Sequence, residues 1–184
     1  IGIDSLNNAY DKKLKELRLS SLNDEQNFTF KLLNLSDENT LDKESEIFEN
    51  VSTVLHLGAR AGVRQSFLDP KSYILDNTAA TANLALNVKK HKIKKFIIAS
   101  TSSIYGDTGV GYAKENKDEL ENPPSIYAAT KSFGEVLARN ILEDTDTIIQ
   151  IPRFFTVYGP FGRPDMSILR FVHWISTNQE VIVY

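Results

Sequence analysis

The 184-residue sequence contains no cysteine, which excludes disulfide bonds, thiolate zinc sites and cysteine nucleophiles. This absence fits a reducing compartment, and we predict a cytoplasmic location. The chain also lacks an excess of positive charge, because 21 Lys and Arg stand against 24 Asp and Glu, for a formal net charge of -3. The electrostatic basis for binding nucleic acid or an anionic membrane is therefore missing, and we predict neither partner.

Long apolar runs are missing as well, since no stretch is long enough to span a bilayer. The three histidines, His56, His91 and His173, show no ligand spacing and no accompanying carboxylate cluster, so we predict no metal site. The sequence begins Ile-Gly-Ile-Asp without an initiator methionine, and we expect this start to lie inside a strand. Apolar residues make up 41% of the chain, which indicates a globular domain and excludes a disordered one.

Short apolar runs alternate with helical patterns along the chain. Such alternation predicts an α/β fold, with a parallel sheet and crossover helices. Several runs are continuous, as expected for strands buried on both faces. The predicted strands are residues 1–4, 28–35, 53–58, 95–100, 147–152 and 181–183, the predicted helices are 10–22, 70–90 and 123–142, and 106–124 is predicted as a loop.

Tyr127 and Lys131 stand four residues apart at the start of a predicted helix. Residues at i and i+4 share one helical face, so the hydroxyl and the ammonium can occupy one small space. A neighbouring ammonium favours the phenolate and lowers the pKa of a tyrosine below its reference value of about 10. The two residues can therefore act as an acid/base pair, but a solvated helix face would show the same spacing.

Four consecutive hydroxyl side chains, Ser100 to Ser103, stand at the end of a predicted buried strand. This is the carboxyl end of the strand, where open α/β sheets bind ligands. A Ser/Thr turn that caps a loop would use the same residues, so the run alone leaves both interpretations open.

The order of these features carries a resemblance. The chain has a hydroxyl-rich strand end followed by Tyr-Gly, then Tyr-x-x-x-Lys, and then Arg-Phe-Phe-Thr-Val-Tyr-Gly-Pro from Arg153. This order resembles the extended short-chain dehydrogenase/reductases of the NAD-dependent epimerase/dehydratase family, which act on nucleotide sugars. The segment His-Leu-Gly-Ala from His56 is similar to that family's third Gly/Ala-rich cofactor contact, and residues 77–84 are similar to its N-x-x-G-T-x-N-L helix. The resemblance covers nearly the full length.

The resemblance implies a Rossmann-like, doubly wound parallel sheet that binds NAD. It makes Thr101, Tyr127 and Lys131 catalytic, with Tyr127 removing the proton from a sugar hydroxyl while a hydride passes to the cofactor. Asp4 would accept from both ribose hydroxyls of the adenosine and so favour NAD, although an ordinary strand-end cap would look the same. The implied cofactor contacts are Asp4, Ser5, Asn34, Leu35, Leu57, Gly58, Ala59, Asn77, Tyr127, Lys131, Phe154 and Phe155.

Two of the implied positions depart from patterns of the family. Asn34 stands where the family usually has an acidic residue against adenine, and its side-chain carbonyl can still accept a hydrogen bond. Ser102 and Ser103 stand where the family's dehydratases carry an acidic pair or Ser-Glu. Neither hydroxyl titrates near neutrality, so the residues that would transfer protons in a dehydration are missing. Among the reactions of these enzymes, 4-epimerisation then remains.

Residues 156–166 resemble the corresponding segment of UDP-glucuronate 4-epimerases. By that resemblance, Thr156 and Arg163, with help from Ser102, would hold the sugar carboxylate, which suits the planar fork of an arginine. A solvated loop arginine is the competing interpretation of Arg163. The predicted substrate-binding residues are Ser102, Ser103, Thr156, Arg163 and Arg64.

The predicted function is therefore the NAD-dependent interconversion of UDP-glucuronate and UDP-galacturonate through a 4-keto intermediate. An epimerase of a neutral UDP-hexose or UDP-N-acetylhexosamine is the first alternative, and a non-catalytic nucleotide-sugar-binding protein is the second. Resemblance also suggests a homodimer formed through the helices at 73–88 and 127–142.

The resemblance divides the chain into an NAD-binding domain, 1–159, and the start of a substrate-binding region, 160–184. If Asp4 is the ribose-binding residue, the resemblance implies that the first strand and glycine-rich loop of a Rossmann unit are missing from the 184 residues. Because that strand is usually central, we expect a gap inside the sheet. We also expect that the 184 residues alone neither bind NAD nor turn over substrate.

Overall fold

The computed structural model describes residues 1–107, 112–115 and 122–183, so part of the predicted loop at 106–124 lies outside the described residues. In chain order, the elements are β1 (Gly2–Asp4), α1 (Lys12–Asn23), β2 (Phe30–Leu32), α2 (Glu38–Lys43), a 3-10 turn (Ser45–Phe48), β3 (Thr53–His56), α3 (Val63–Leu68), α4 (Pro70–Tyr73), a π-helical segment (Ile74–Ala79), α5 (Ala80–Lys90), β4 (Lys95–Ile98), β5 (Ser100–Thr101), a second 3-10 turn (Ser102–Tyr105), α6 (Ile126–Ile141), β6 (Ile148–Gln150), β7 (Arg153–Phe154) and α7 (Ser167–Ser176).

The strands form three parallel pairings rather than one continuous sheet. β1 pairs with β2, β3, β4 and β6 form a three-stranded sheet in the order β3-β4-β6, and β5 pairs with β7. All of these pairs are parallel, which confirms the α/β, Rossmann-like fold class. Among the described residues, no ladder joins β1 to β3.

The core lies where α5 and α6 pack on the three-stranded sheet. Phe96 and Ile98 of β4 are buried against Leu84 and Val88 of α5, and Leu142 closes the cluster just beyond α6. The helices α5 and α6 also pack against each other. The core therefore fixes α6 beside the carboxyl end of the strands.

The predicted helix at 70–90 is present, but a π-helical segment over Ile74–Ala79 interrupts it. Pro70 occupies the first turn, and the Asp69 carboxylate accepts a hydrogen bond from the Ser72 amide. A π-helical segment inside an α-helix shifts the side chains that follow it and is frequent at functional sites. Here it includes Asn77, which is buried.

The contacts divide the chain into two compact units. The first contains residues 1–5 and 27–155, and the second contains residues 6–26 and 156–184. This division falls after residue 155 and assigns α1 to the second unit, whereas the sequence predicts a domain boundary after residue 159. The functional boundary stays a prediction.

The predicted strand at 181–183 is wrong. These residues adopt no regular structure and are exposed. A run of apolar residues favours a strand only where a neighbour supplies the ladder, and none of the described strands pairs with this segment. Over the described part of the chain, no helix combines the length and the apolar character needed to cross a membrane.

Candidate active site

Thr101 ends β5 and begins the 3-10 turn that follows. The side chain is buried, and its Oγ1 accepts a hydrogen bond of 3.1 Å from the Ser103 amide. A threonine hydroxyl that accepts one hydrogen bond can still donate its own hydrogen. Thr101 therefore caps the turn and can also bind an oxygen at the strand end, so the two interpretations of the hydroxyl run are compatible.

Helix α6 begins beside that strand end. The Ser125 Oγ accepts a 3.0 Å hydrogen bond from the Ala128 amide, which is the N-cap that starts the helix at Ile126. Tyr127 and Lys131 follow one turn apart, as predicted, and α6 packs against β5 and the 3-10 turn of Thr101. Thr101, Tyr127 and Lys131 thus lie on adjoining elements of the same unit.

The backbone of Tyr127 is held from both sides. Its amide donates a 3.1 Å hydrogen bond to Ser66 Oγ of α3, and its carbonyl accepts a 2.9 Å hydrogen bond from Thr130 Oγ1. The ring meets the Tyr73 ring edge-on, with 6.2 Å between centroids. Among the described residues, no hydrogen bond reaches Tyr127 Oη or Lys131 Nζ, so both polar groups can serve a ligand.

Lys131 is 6% exposed, and burial lowers its pKa from 10.5 to about 8, against the opposing attraction of Glu135. His56 is also buried, and burial together with the Lys131 charge lowers its pKa to about 3. The imidazole is therefore neutral near pH 7. Lys131 keeps its proton at that pH and can stabilise a phenolate at Tyr127.

Asn77, a predicted cofactor contact, makes several hydrogen bonds within the protein. Its Oδ1 accepts a 2.6 Å hydrogen bond from the Arg60 amide, and its Nδ2 donates to the Arg60 carbonyl and to Thr130 Oγ1, each over 3.0 Å. The side chain is 1% exposed. Asn77 therefore braces the loop after β3 against the first turn of α6, through Thr130.

The residues predicted around a dinucleotide lie at strand ends or in the loops that follow. Asp4 is exposed at the end of β1, Ser5 is half-buried next to it, and Leu57, Gly58 and Ala59 are exposed after β3. A Cβ at Gly58 would lie 3.2 Å from Leu35 Cδ1, so a side chain there would crowd this strand end. The Asn34 Oδ1 accepts hydrogen bonds from the Ser36 amide and hydroxyl, and the amide nitrogen of Asn34 can still donate to a ligand.

Phe154 and Phe155 are the remaining predicted cofactor contacts. Phe154 ends β7, Phe155 follows it, and both are exposed. The Phe155 ring stacks on Tyr105 with 6.2 Å between centroids. Exposed apolar side chains and a side-chain-free glycine at the strand ends fit the faces of a planar, partly apolar dinucleotide. Among the residues that the structure describes, no group of His, Asp and Glu side chains could hold a metal ion.

The predicted substrate residues are divided between the two units. Ser102 and Ser103 are half-buried in the second 3-10 turn, which belongs to the first unit. Arg64 belongs to the same unit and is exposed on α3. Thr156 and Arg163 belong to the second unit. Arg163 forms a two-point ion pair with Asp165, with Nε–Oδ1 at 3.1 Å and Nη2–Oδ2 at 2.5 Å. Its fork is therefore geometrically able to bind a carboxylate.

The sequence interpretation missed Glu135, and it assigned no individual role to Ser100 or Arg153. Glu135 is 1% exposed on α6, accepts a short hydrogen bond from Ser100 Oγ, and forms a buried ion pair with Arg153. The spacing of four residues from Lys131 to Glu135 was a possible signal, because it continues the face of Tyr127 by another turn.

The model of the NAD dependent epimerase/dehydratase family matches residues 1–184. A UDP-glucuronate 4-epimerase of Thermodesulfobacterium geofontis is 40% identical over 100% of this chain, which covers 56% of that relative. UDP-glucuronate 4-epimerase 1 of Arabidopsis thaliana is 36% identical over 100% of this chain, which covers 42% of it.

Among solved structures, the chain resembles the UDP-glucuronic acid 4-epimerase of Bacillus cereus in complex with UDP-glucuronic acid and NAD. The TM-score is 0.87 at 33% identity, and the alignment covers 100% of this chain and 56% of that structure. The chain thus spans about half the length of the curated relatives it matches.

Proposed function

Because the chain belongs to the NAD-dependent epimerase/dehydratase family, we propose that the whole protein is an NAD-dependent nucleotide-sugar 4-epimerase that interconverts UDP-glucuronate and UDP-galacturonate. The observation that carries this proposal is the placement of Tyr127 and Lys131 one turn apart on α6, against the strand that ends in Thr101. The relatives with this activity and the Bacillus cereus complex support the choice of substrate and cofactor.

Each of the three residues has a role that follows from its chemistry. Tyr127, as the phenolate, takes the proton of the sugar 4-hydroxyl, and as the phenol it later returns a proton to the 4-keto oxygen. Lys131 stabilises the phenolate by its charge and binds ribose hydroxyls of the cofactor. Thr101 donates a hydrogen bond to the reacting oxygen, which gains negative charge as its proton leaves.

NAD would supply a reversible hydride acceptor for C4, so that the cycle consumes no cofactor. The residues that would hold it are Asp4 and Ser5 at the ribose, Asn34 and Leu35 at the adenine, Leu57 to Ala59 after β3, Asn77, Phe154 and Phe155. Residues 1–159 form the NAD-binding domain in this proposal, and residues 160–184 begin the substrate-binding region.

The sugar carboxylate is held by Arg163 and Thr156, with Ser102. A carboxylate at C5 next to a ketone at C4 makes the intermediate a β-keto acid, which loses carbon dioxide readily. Fixing the carboxylate protects the intermediate, and the two-point pairing of Arg163 with Asp165 supports this role, because it has the form of an arginine–carboxylate clamp. Ser103 and Arg64 complete the substrate contacts.

The same ion pair favours one alternative. If Asp165 keeps the Arg163 fork when the substrate binds, no carboxylate clamp remains, and a neutral UDP-hexose or UDP-N-acetylhexosamine becomes the substrate. Incubating the whole protein with UDP-glucuronate and, separately, with UDP-glucose distinguishes the two, because NMR resolves the C4 epimers. Conversion of UDP-glucuronate alone supports the proposal, and conversion of UDP-glucose alone contradicts it.

A homodimer is the proposed assembly. Its interface comprises α6 and the helical run from α4 through the π-helical segment to α5, which pack together and expose large apolar side chains. Phe133 of α6 is 52% exposed and Leu86 of α5 is 48% exposed, although both helices otherwise face the core. Burial of such side chains against a second copy stabilises an association. The cytoplasmic location stays a prediction.

A further inference from the structure

Glu135 is a buried carboxylate whose partners all come from other elements. Its Oε1 accepts hydrogen bonds from Ser100 Oγ and from Arg153 Nε, the latter at 3.1 Å, and its Oε2 accepts from Arg153 Nη2 at 3.0 Å. A carboxylate that is 1% exposed is costly unless it is paired and hydrogen-bonded, and this one is both. The pairing holds the third turn of α6 in place.

The two partners of Glu135 are themselves neighbours across a strand pair. Ser100 of β5 is directly opposite Arg153 of β7 in the parallel register. The next residues in the same register are Thr101 and Phe154. Because Glu135 binds both strands at this level, it sets how α6 lies against the residue that we assign to the reacting oxygen.

The face of α6 that carries Glu135 also carries Lys131 and Tyr127, at intervals of four residues. A shift of the helix along the strands would therefore move all three side chains relative to Thr101. Misplacing a catalytic group by about 1 Å can reduce a rate by about a hundredfold. The clamp on Glu135 is thus placed to control the geometry of the acid/base pair.

The same clamp affects the charge that Lys131 experiences. Glu135 attracts the Lys131 ammonium, but Arg153 engages both oxygens of that carboxylate and raises its own pKa by doing so. Titratable groups on α6 and on the elements packed around it include Tyr127, Lys131, Glu135 and Arg139 of α6, His56 of β3, Arg64 of α3, Lys71 and Tyr73 of α4, Asp76 of the π-helical segment, Lys89 and Lys90 of α5, Tyr105 of the 3-10 turn and Arg153 of β7. Of the two carboxylates in this set, Asp76 pairs with Arg60 over 2.9 Å, whereas Glu135 attracts Lys131.

We propose that Glu135 and Arg153 are positioning residues of the epimerase, which clamp α6 to β5 and β7 and set the charge balance at Lys131. This inference rests on the proposed function, and it adds residues that touch neither substrate nor cofactor. In this proposal, Arg153 compensates most of the negative charge of Glu135, so that the Lys131 ammonium interacts with Tyr127 and the cofactor.

The test compares two variants of the whole protein that remove opposite charges, Glu135→Gln and Arg153→Gln. The pKa of Lys131 is followed by NMR of its side-chain resonances, assigned with Lys131→Met. Glu135→Gln removes the attracting charge and leaves Arg153 uncompensated, so the pKa of Lys131 falls. Arg153→Gln releases the Glu135 charge, so the pKa rises. We expect shifts of roughly half a pH unit or more in these opposite directions.

The alkaline limb of kcat follows these shifts, because Lys131 must carry its proton. Loss of packing alone would lower kcat in both variants without moving the limb in opposite directions. Shifts in the same direction, or no shift in either variant, overturn the proposal. If the wild-type protein shows no epimerase activity, the proposed function fails, whereas the NMR titration still decides the clamp.

Asp144→Asn is the matched control. It removes a carboxylate that pairs with Lys89 just beyond the end of α6, on the surface, and it leaves the pKa of Lys131 and kcat unchanged. If either charge-removing variant fails to fold, the milder variants Arg153→Lys and Ser100→Ala test the clamp in its place. A loss of roughly tenfold in kcat with little change in KM supports the clamp, and wild-type kcat in both overturns it.

Discussion

Asn77 donates a hydrogen bond to Thr130 over 3.0 Å, and both side chains are buried at the point where the interrupted helix meets the first turn of α6. Thr130 in turn donates to the carbonyl of Tyr127, so the amide of Asn77 is linked to the backbone of the proposed base. The same side-chain amide also binds the backbone of Arg60, in the loop after β3. Its Oδ1 accepts from the Arg60 amide, and its Nδ2 donates to the Arg60 carbonyl. One side chain therefore joins the predicted cofactor loop to the catalytic helix.

Replacing Asn77 tests that brace. Asn77→Leu keeps the branched shape of the side chain but leaves the part-buried amide and carbonyl of Arg60 without their partner, so we expect the free energy of unfolding to fall by about 2–4 kcal/mol. Urea denaturation of the 184-residue chain measures this. Asn39→Leu, at an exposed position of α2, serves as control and should change stability by less than about 0.5 kcal/mol. Equal losses in the two variants would contradict the brace.

Lys131 gives a stability prediction with a defined sign. Its pKa is about 8 in the folded protein and 10.5 as the reference value. Between those values the unfolded chain binds more protons than the folded one, so wild-type stability rises as the pH increases from about 8 to 10.5. Lys131→Met should therefore stabilise the fold by about 3 kcal/mol at pH 7, with an advantage that vanishes toward pH 10.5.

Denaturation of Lys131→Met and wild type across this pH range measures the effect. Lys94→Met, at an exposed position before β4, is the control and should follow the wild-type curve. A difference between Lys131→Met and wild type that does not change with pH would show that burial does not lower the pKa of Lys131.

Arg163 tests the choice of substrate. Arg163→Ala should reduce kcat/KM for UDP-glucuronate by roughly 10- to 100-fold, because a charge-assisted two-point contact is lost, and should change kcat/KM for UDP-glucose little. Asp165→Asn removes the competing carboxylate and keeps the arginine, so kcat/KM for UDP-glucuronate should be maintained or increase. Equal losses for both sugars in Arg163→Ala would argue against a carboxylate clamp.

Phe133 tests the proposed dimer. The side chain is half exposed on α6, between the buried Ser132 and Gly134, and it points away from the core. Phe133→Glu should shift the whole protein from dimer to monomer in analytical ultracentrifugation, because an ionised carboxylate is costly to bury. Glu143→Gln, at an exposed position after α6, should leave the dimer intact. A Phe133→Glu protein that sediments as the wild type would exclude this interface.

Local spacing predicted much of the fold and the centre of the site. The i, i+4 rule placed Tyr127 and Lys131 together because a helix fixes that relationship within one turn. It could not identify Glu135 as part of the site, since its partner Arg153 comes from a strand eighteen residues later. An isolated Glu on a helix has the same sequence pattern whether it is solvated or buried in an ion pair.

Other differences also depend on long-range contacts. Apolar residues at 181–183 predict a strand, but a strand forms only with a partner, and the described strands supply none there. The helix at 70–90 was predicted from its apolar pattern, which does not distinguish an α-helix from the π-helical segment that buries Asn77. In that segment Asn77 acts as an internal brace, and its contact with the cofactor stays a prediction.

The most direct test of the central claim follows the hydrogen at C4. The whole protein is incubated with UDP-glucuronate deuterated at C4, and the product is examined by NMR and mass spectrometry. The account predicts UDP-galacturonate that retains the deuterium at C4, and a Tyr127→Phe variant that remains folded but is slower by about 10²–10⁴-fold. Loss of the deuterium to solvent, or wild-type turnover in Tyr127→Phe, would contradict it.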